Sequence, residues 1–300
     1  APLRLMGAEV VCEGPGGRPP IRIRGGRLRG IEFASPVASA QVKTAVLLAG
    51  LFAAGTTTVE ETLPTRDHTE IALREFGVNI TRNRHATSLA GRPGLAGKKF
   101  LIPCDLSAAV FFVVAALLVP DSNLVLPNVG LNPTRTAVVD FLLGMGAKIK
   151  VLGVEEVNGE LIGELHVSHS GRLAGGTIEG ALVPRMIDEL PALAILGTQT
   201  EQGLRIRDAS ELRVKESDRI GTLAENLRRL GAAVKEYPDG LEVAGQQKLR
   251  GAAVDSFGDH RIAMALACAA LVAEGETTIR DPDCVGVSFP GFFEALASAA

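Results

Sequence analysis

Three hundred residues with 46% hydrophobic content and a formal net charge of −3 describe a globular chain of about two domains. The slight acidic excess argues against a broad nucleic-acid surface, and with no Trp and one Tyr there are few rings for bases to stack on. Cys12, Cys104, Cys268 and Cys284 stand far apart without CxxC or Cys/His ligand spacing, against a disulfide framework or zinc site and in keeping with a reducing cytoplasm.

Ala1 opens the chain and a glycine-rich stretch follows, so the sequence is read either as processed or as beginning partway through a longer protein. No charged segment with an apolar run behind it starts the chain, so no signal peptide is expected. The longest apolar run, Ala108 to Val119, has 12 residues, too short to span a bilayer. The glycines at 14–17 form neither a GxGxxG nor a Walker pattern, which leaves nucleotide binding unsupported.

Four segments share one layout of apolar helix, turn, strand, polar loop, second helix, then glycine and another strand. The first has a helix from Ser39 through Leu47–Ala54, strand Thr56–Glu60, loop Pro64–Glu70, a helix to Phe76, and a strand from Gly77. The second has helix Ala108–Val119, strand Leu124–Leu126, loop Leu131–Thr136, and a strand closing at Ile149. The third has helix Asp188–Gly197, strand Leu204–Arg207, loop Ala209–Arg219, and a strand after Gly231. The last has helix Ile262–Ala273, strand Thr277–Arg280, loop Asp283–Phe289, and helix Gly291–Ala297. Hairpins are expected at Gly14–Pro20 and Ala90–Gly97. The repeats are too long for a solenoid of short units and suit duplicated αβ units, each burying a helix face on a small sheet. The predicted fold is therefore α/β in two lobes, with a crossover near Phe100–Asp105.

Between the third loop and its second helix, the stretch Arg213–Arg219 sets cations where a helix disfavours them. Ile220, Leu223, Leu227 and Leu230 recur at helical spacing and stop at Gly231. Arg219 lies four residues before Leu223 and Lys215 four before Arg219, which puts both on the line of the buried stripe. A cation at a helix start costs about 0.3–1 kcal/mol, so two on one face point to an anionic ligand. The bland alternative is a solvated cluster with Glu216 and Asp218, worth little.

Each apolar helix also opens on polar residues: Ser39-Ala40-Gln41, Asp105-Leu106-Ser107, Asp188-Glu189 and Asp259-His260-Arg261. Ser and Asp there read as N-caps. Gln41, His260 and Arg261 are not capping residues, and Arg261 repeats the dipole violation. Guanidinium forks and a lysine point charge suit a small, multiply charged anion. Asp188-Glu189 reads either as a favourable dipole contact or as the seat of a general base. Thr65–Glu70 is either an anion contact or ordinary capping with exposed charge. His85, His166 and His169 read as surface residues.

Taken in order, Pro36–Lys43 with its Ser-Ala-Gln, Thr65–Glu70, Asn132–Arg135, Ile187–Glu189, Leu212–Arg219 and Asp259–Arg261 resemble the 5-enolpyruvylshikimate-3-phosphate synthase family of the bacterial Ser-Ala-Gln type. The resemblance covers nearly the whole chain. It implies a fold of repeated βαβαββ units in two lobes that close on substrate. Residues 1–101 would be the remainder of a first, shikimate 3-phosphate-binding lobe and 102–300 the second. The implied reaction moves the enolpyruvyl group of phosphoenolpyruvate to the 5-hydroxyl of shikimate 3-phosphate, without metal or organic cofactor. Ser39, Ala40 and Gln41 would hold shikimate 3-phosphate, and Asp188 would accept the hydroxyl proton. Lys215 would touch both substrates, while Arg219 and Arg261 would grip phosphoenolpyruvate. Glu216 and His260 would flank the reacting carbons, Glu216 as proton donor to the methylene, with Arg66 a further contact. A cytoplasmic monomer without nucleic-acid or membrane partners is the matching expectation.

The chain departs from that pattern in two respects. Family members carry a further stretch ahead of the residue matching Ala1, with substrate contacts of its own. A charge-assisted hydrogen bond is worth about 1.5–3 kcal/mol, so the chain as written is expected to be inactive or nearly so. A lysine found late in some members is Val287 here. Rival readings are the sister enzyme acting on UDP-N-acetylglucosamine and a noncatalytic, RNA-binding relative built from similar repeats.

Overall fold

A computed structural model describes residues 1–299, so Ala300, the last residue of the expected second lobe, lies outside the described residues. Contacts divide the chain into two compact units. One comprises Ala1–Leu101 with Glu156–Glu160, the other Ile102–Glu155 and Leu161 onward.

The first unit opens with helix α1 (Pro2–Leu5) and a hairpin of β1 (Glu9–Gly14) and β2 (Arg18–Arg24). Its sheet is formed by β3 (Glu32–Ala34), β4 (Thr56–Glu60), β5 (Ile80–Asn83) and β6 (Ala86–Ala90), in the order β3-β4-β6-β5. Helix α2 (Ala40–Gly50) joins the parallel pair β3–β4, and α3 (His68–Glu75) leads from β4 to β5. Met6, Val46, Leu47, Val59, Leu73 and Leu89 form the core between sheet and helices. The predicted turn at Gly14–Pro20 is the β1–β2 hairpin. Ala90–Gly97 is not a hairpin. The chain reverses earlier, between Asn83 and Ala86, where Arg84 takes a left-handed φ of 50°, and β6 then ends at Ala90.

In the second unit the same plan recurs twice and a third time in part. Cys104 bridges in parallel to the sheet β7-β9-β8, made of β7 (Asn123–Gly130), β8 (Lys148–Val157) and β9 (Glu160–Ser168), with α4 (Leu106–Leu118) and α5 (Ala137–Gly144) as connections. Next come β10 (Gly176–Ile178), α6 (Val183–Met186), α7 (Leu190–Gly197), β11 (Leu204–Ile206), α8 (Arg219–Arg229), β12 (Val234–Tyr237) and β13 (Gly240–Val243). Their sheet order β10-β11-β13-β12 repeats that of the first unit strand for strand. A parallel pair β14 (Ala253–Asp255) and β15 (Thr278–Arg280) flanks α9 (His260–Ala270), and α10 (Phe292–Ala299) closes the described chain.

The architecture is α/β, as the repeat predicts. What the pattern missed is the short strand that opens each unit, at Glu32, Gly176 and Ala253. Runs of three residues carry too little alternation to be read. Helices also start at their caps rather than at the first apolar residue, with Asp105 ahead of Leu106 and Asp259 ahead of His260.

Helices α4, α7 and α9 are apolar on every side and pack on one another as the core of the second unit, the behaviour expected of helices without a polar face. The equivalence of the repeats extends to glycines at helix ends. A Cβ on Gly50 would lie 2.9 Å from the Thr57 Cβ, and one on Gly197 2.5 Å from the Leu204 Cβ.

Lys43 is the exception on the apolar side of α2. It is fully buried and ion-paired to Glu61 at 3.1 Å and Glu70 at 2.8 Å, which are 3% and 1% exposed. Thr65 donates to the other Glu61 oxygen, and Thr44 meets Thr69 at 2.6 Å. These contacts tie the first half of α2 to the loop before α3 and to the first turn of α3. Lys43→Met is expected to cost about 3–5 kcal/mol of unfolding free energy in urea, because two buried carboxylates lose their cation. A loss below about 1 kcal/mol, the worth of an exposed pair, would contradict this.

Candidate active site

Helix α8 begins at Arg219 because Asp218 caps it, its carboxylate accepting from the Gly221 N–H at 3.0 Å. Lys215, which four-residue spacing sets on the line of the buried stripe, thus precedes the helix. Lys215 follows a single turn of 3-10 helix and is extended, with φ −78° and ψ −156°. It therefore lies off the stripe of Leu223 and Leu227, and pairs with Glu211 at 2.5 Å. The sequence held the correct signal in Asp218, a preferred cap, which hydrophobic spacing overran.

Arg219 is 0% exposed. Its Nε donates to Asp259 Oδ2 at 2.8 Å, and its Nη2 to Glu216 Oε2 at 2.6 Å and Asp259 Oδ1 at 3.3 Å. The third nitrogen, Nη1, is buried without a hydrogen bond and stands 3.6 Å from Asp188 Oδ1. A solvated surface cluster is therefore the wrong description of Arg219. Burial of a guanidinium is sustained here by a carboxylate fork that is itself buried.

Asp259 holds two elements at once. It caps α9 by accepting from the Arg261 N–H at 2.9 Å, receives Ser217 Oγ at 3.1 Å, and clamps Arg219. Burial alone would raise its pKa, but the hydrogen bond and charge of Arg219, with the other donors, outweigh it and hold the group below its ordinary value. His260, next on α9, is pushed down by burial and then by the charge of Arg261. Both effects favour the uncharged imidazole. Arg261 Nη1 donates to the Asp188 carbonyl at 3.1 Å, and its Nε lies 3.8 Å from Asp188 Oδ1. Asp188 thus stands against two guanidinium groups.

The heads of α4 and α7 also meet. Ser107 donates to Glu189, and Arg135 Nη2 donates to Ser107 Oγ and, at 2.7 Å, to Asp105 Oδ1. Burial, first of all, raises the Glu189 pKa, the charge of Asp188 adds to it, and Ser107 and the arginines act the other way. The starts of α4, α7, α8 and α9 are therefore gathered in one region of the second unit. Their partial positive charges and the side chains of Arg219 and Arg261 together favour a bound anion.

On the first unit Ser39 caps α2, accepting from the Val42 N–H at 3.4 Å, with Ala40 and an exposed Gln41 in the first turn. Arg66 lies partly buried in the loop before α3. Its neighbours are committed within the unit: Asp67 pairs with Arg82 at 3.0 Å and His68 with Glu160 at 2.5 Å. Of the two readings of Thr65–Glu70, neither describes Glu70, which is buried on Lys43. His169 is half-buried, its Nδ1 3.0 Å from the Leu117 carbonyl, so it is not a free surface residue; His166 is half-buried and meets Glu164 at 3.2 Å.

The second unit brings together Asp188, Glu216, Arg219, His260 and Arg261 from the predicted set. The first carries Ser39, Ala40, Gln41 and Arg66. Sequence reading missed Arg135 and Lys43, although Lys43 stood three and four residues before Val46 and Leu47, inside an apolar stripe. Among the described residues no group of three His, Cys, Asp or Glu side chains is placed to hold a metal ion, and no helix is long and apolar enough to cross a membrane.

A profile described as EPSP synthase (3-phosphoshikimate 1-carboxyvinyltransferase) matches residues 1–296. The chain belongs to the EPSP synthase family. It is similar to the 3-phosphoshikimate 1-carboxyvinyltransferase of Solibacter usitatus, 56% identical over 299 residues, which span all of this chain and 70% of that protein. The protein of that name from Koribacter versatilis is 50% identical over 295 residues, covering 98% of this chain and 68% of its own length. Among solved structures, EPSP synthase from Acinetobacter baumannii superimposes with a TM-score of 0.89 at 42% identity, covering all of this chain and 69% of that one. The EPSP synthase fold is thus the fold of this chain, and its enzyme class is transferase.

The Arg219–Asp259 clamp sets an acid limit on stability. Since Asp259 titrates below its ordinary 3.8 in the folded protein, its contribution is complete above that value and lost as pH falls through the lower, folded one. Asp259→Asn is expected to cost about 3–5 kcal/mol near neutral pH and to flatten the acid limb. Urea unfolding followed from pH 7 to pH 3 checks both; an unaltered acid limb would refute the assignment.

Proposed function

We propose that this EPSP synthase family member joins phosphoenolpyruvate to shikimate 3-phosphate. The enolpyruvyl group passes to the 5-hydroxyl and phosphate is released. The observation that carries this reading is the buried Arg219, whose Nη1 lacks a hydrogen bond beside Asp188 and Arg261. Two polyanionic substrates need fixed cations and a base held next to them.

In the proposed reaction the Asp188 carboxylate takes the proton of the 5-hydroxyl as its oxygen bonds to C2 of phosphoenolpyruvate. The methylene carbon takes up a proton and becomes a methyl group, giving a tetrahedral intermediate that still carries phosphate. The C2–O bond to phosphate then breaks, and the methyl group gives back a proton to restore the double bond. Arg219 and Arg261 hold phosphoenolpyruvate, and Lys215 touches both substrates after leaving Glu211. Glu216 supplies the methylene proton. In the structure it is bound to Arg219 at 2.6 Å, so this role requires the incoming anion to replace it on the guanidinium and the freed carboxyl to take up a proton. Neutral His260 flanks the reacting carbons without adding charge. Ser39, Ala40, Gln41 and Arg66 hold shikimate 3-phosphate.

The reading uses no metal or organic cofactor, and it takes the protein as a cytoplasmic monomer without nucleic-acid or membrane partners. Relatives named for 3-phosphoshikimate support the shikimate acceptor over UDP-N-acetylglucosamine. A phosphate-release assay offering each acceptor to the protein as its gene encodes it tests the choice. Release with the sugar nucleotide alone would overturn it. Asp188→Asn is expected to leave shikimate 3-phosphate binding nearly intact and to slow turnover roughly a hundred- to ten-thousandfold, the span of general-base catalysis. Near-normal turnover would remove Asp188 from the role of base.

A further inference from the structure

Two adjacent carboxylates head α7 and point to different partners. Asp188 faces Arg219 and Arg261. Glu189 is 5% exposed, and its carboxylate accepts the Ser107 hydroxyl, which in turn accepts from Arg135. The reaction proposed above gives none of Ser107, Arg135 and Glu189 a part.

The backbone at this junction passes from one helix to the next. Helix α6 ends at Met186 and α7 starts only at Leu190, with Pro191 in its first turn. Proline has no N–H to offer the preceding turn, so Pro191 gives the Ile187 carbonyl no helical bond across the junction. The Glu189 N–H reaches Met186 at 3.0 Å, and the Glu189 carbonyl receives the Leu193 N–H at 3.0 Å. The side-chain line from Arg135 through Ser107 to Glu189 supplies a further tie, reaching to α4 and to the loop before α5.

We infer that Glu189 is a positioning residue: anchored by Ser107 and Arg135, it sets the rotation of the α7 head so that Asp188 meets Arg219 and Arg261. The inference rests on the proposed reaction, in which Asp188 is the base. The surroundings of Glu189 agree with the division of labour. Burial and the charge of Asp188 favour its protonated form, while Ser107, Arg135 and Arg261 oppose this without reversing it. With Glu189 committed to Ser107, the guanidinium groups of Arg219 and Arg261 are left to Asp188.

Steady-state kinetics on the protein as its gene encodes it tests the role. Glu189→Ala is expected to lower kcat roughly ten- to a hundredfold with KM for both substrates within about twofold, the scale of a small misplacement of a catalytic group. Glu189→Gln keeps an oxygen that accepts from Ser107 and should restore most of kcat. Equal turnover in Glu189→Ala, or equal damage in both variants, overturns the role. Ser107→Ala should lower kcat in the same direction and guards against a Glu189→Ala protein that fails to fold. Carbon-13 NMR of the Glu189 carboxyl reports on the contact without turnover. Its midpoint should lie above the ordinary 4.5 and rise further in Ser107→Ala; a midpoint unmoved by that change shows that the contact does not form. If Asp188→Asn retains turnover, the reaction reading fails. If turnover depends on Asp188 but survives Glu189→Ala, only the positioning role fails.

Discussion

A buried guanidinium cannot stand alone, and the arrangement around Arg219 follows from that constraint. Removing such an ion from water costs several kcal/mol before any partner is counted. Asp259 meets the cost with a fork on Nε and Nη2, and the same carboxylate caps α9 and receives Ser217. One side chain thereby joins the start of α8 to the start of α9 and fixes where Arg261 begins. Asp188 and Glu216 complete the ring of acids around the guanidinium without giving Nη1 a hydrogen bond. The result is a rigid cation with one donor unused, a form suited to electrostatic stabilisation without reorganisation.

Duplication of the βαβαββ plan explains why polar residues recur at the helix starts within each unit. In each unit a parallel strand pair is joined by a helix, and the helix must begin at the same end of the sheet every time. Helix starts need acceptors for their free N–H groups and attract anions. Ser39, Asp105, Asp218 and Asp259 answer the first need as caps. Gln41, Arg219, His260 and Arg261 sit beside them in the first turns, next to the free main-chain N–H groups. Capping and the proposed binding therefore fall on one structural feature.

Much of this was legible in the residues. Helical spacing after Ile220, strand Thr56–Glu60, and the all-apolar helices of the second unit could be read directly, because burial imposes a period on composition. The unusual chemistry of the helix heads also showed, since Arg219 and Arg261 break a local electrostatic rule. The three-residue strands at Glu32, Gly176 and Ala253 did not, being too short for alternation. The displacement of Lys215 from the stripe did not show either, because four-residue spacing continues past a cap that the spacing itself does not register. The burial of Glu70 leaves no mark in Thr65–Glu70, because its cation, Lys43, is distant in sequence and lies on another helix.

By itself the sequence determined the repeat, the apolar faces, the family resemblance and the residue types from which an anion site could be made. Those properties are local or periodic, and each is written in a few neighbouring side chains. The tertiary structure alone decided which acid meets which base. It set Asp259 on Arg219, Lys43 between Glu61 and Glu70, and Glu189 on Ser107 while Asp188 turned to the arginines. Those pairings depend on packing between helices far apart in the chain, where burial multiplies the worth of a charge and spacing in sequence carries no record of it.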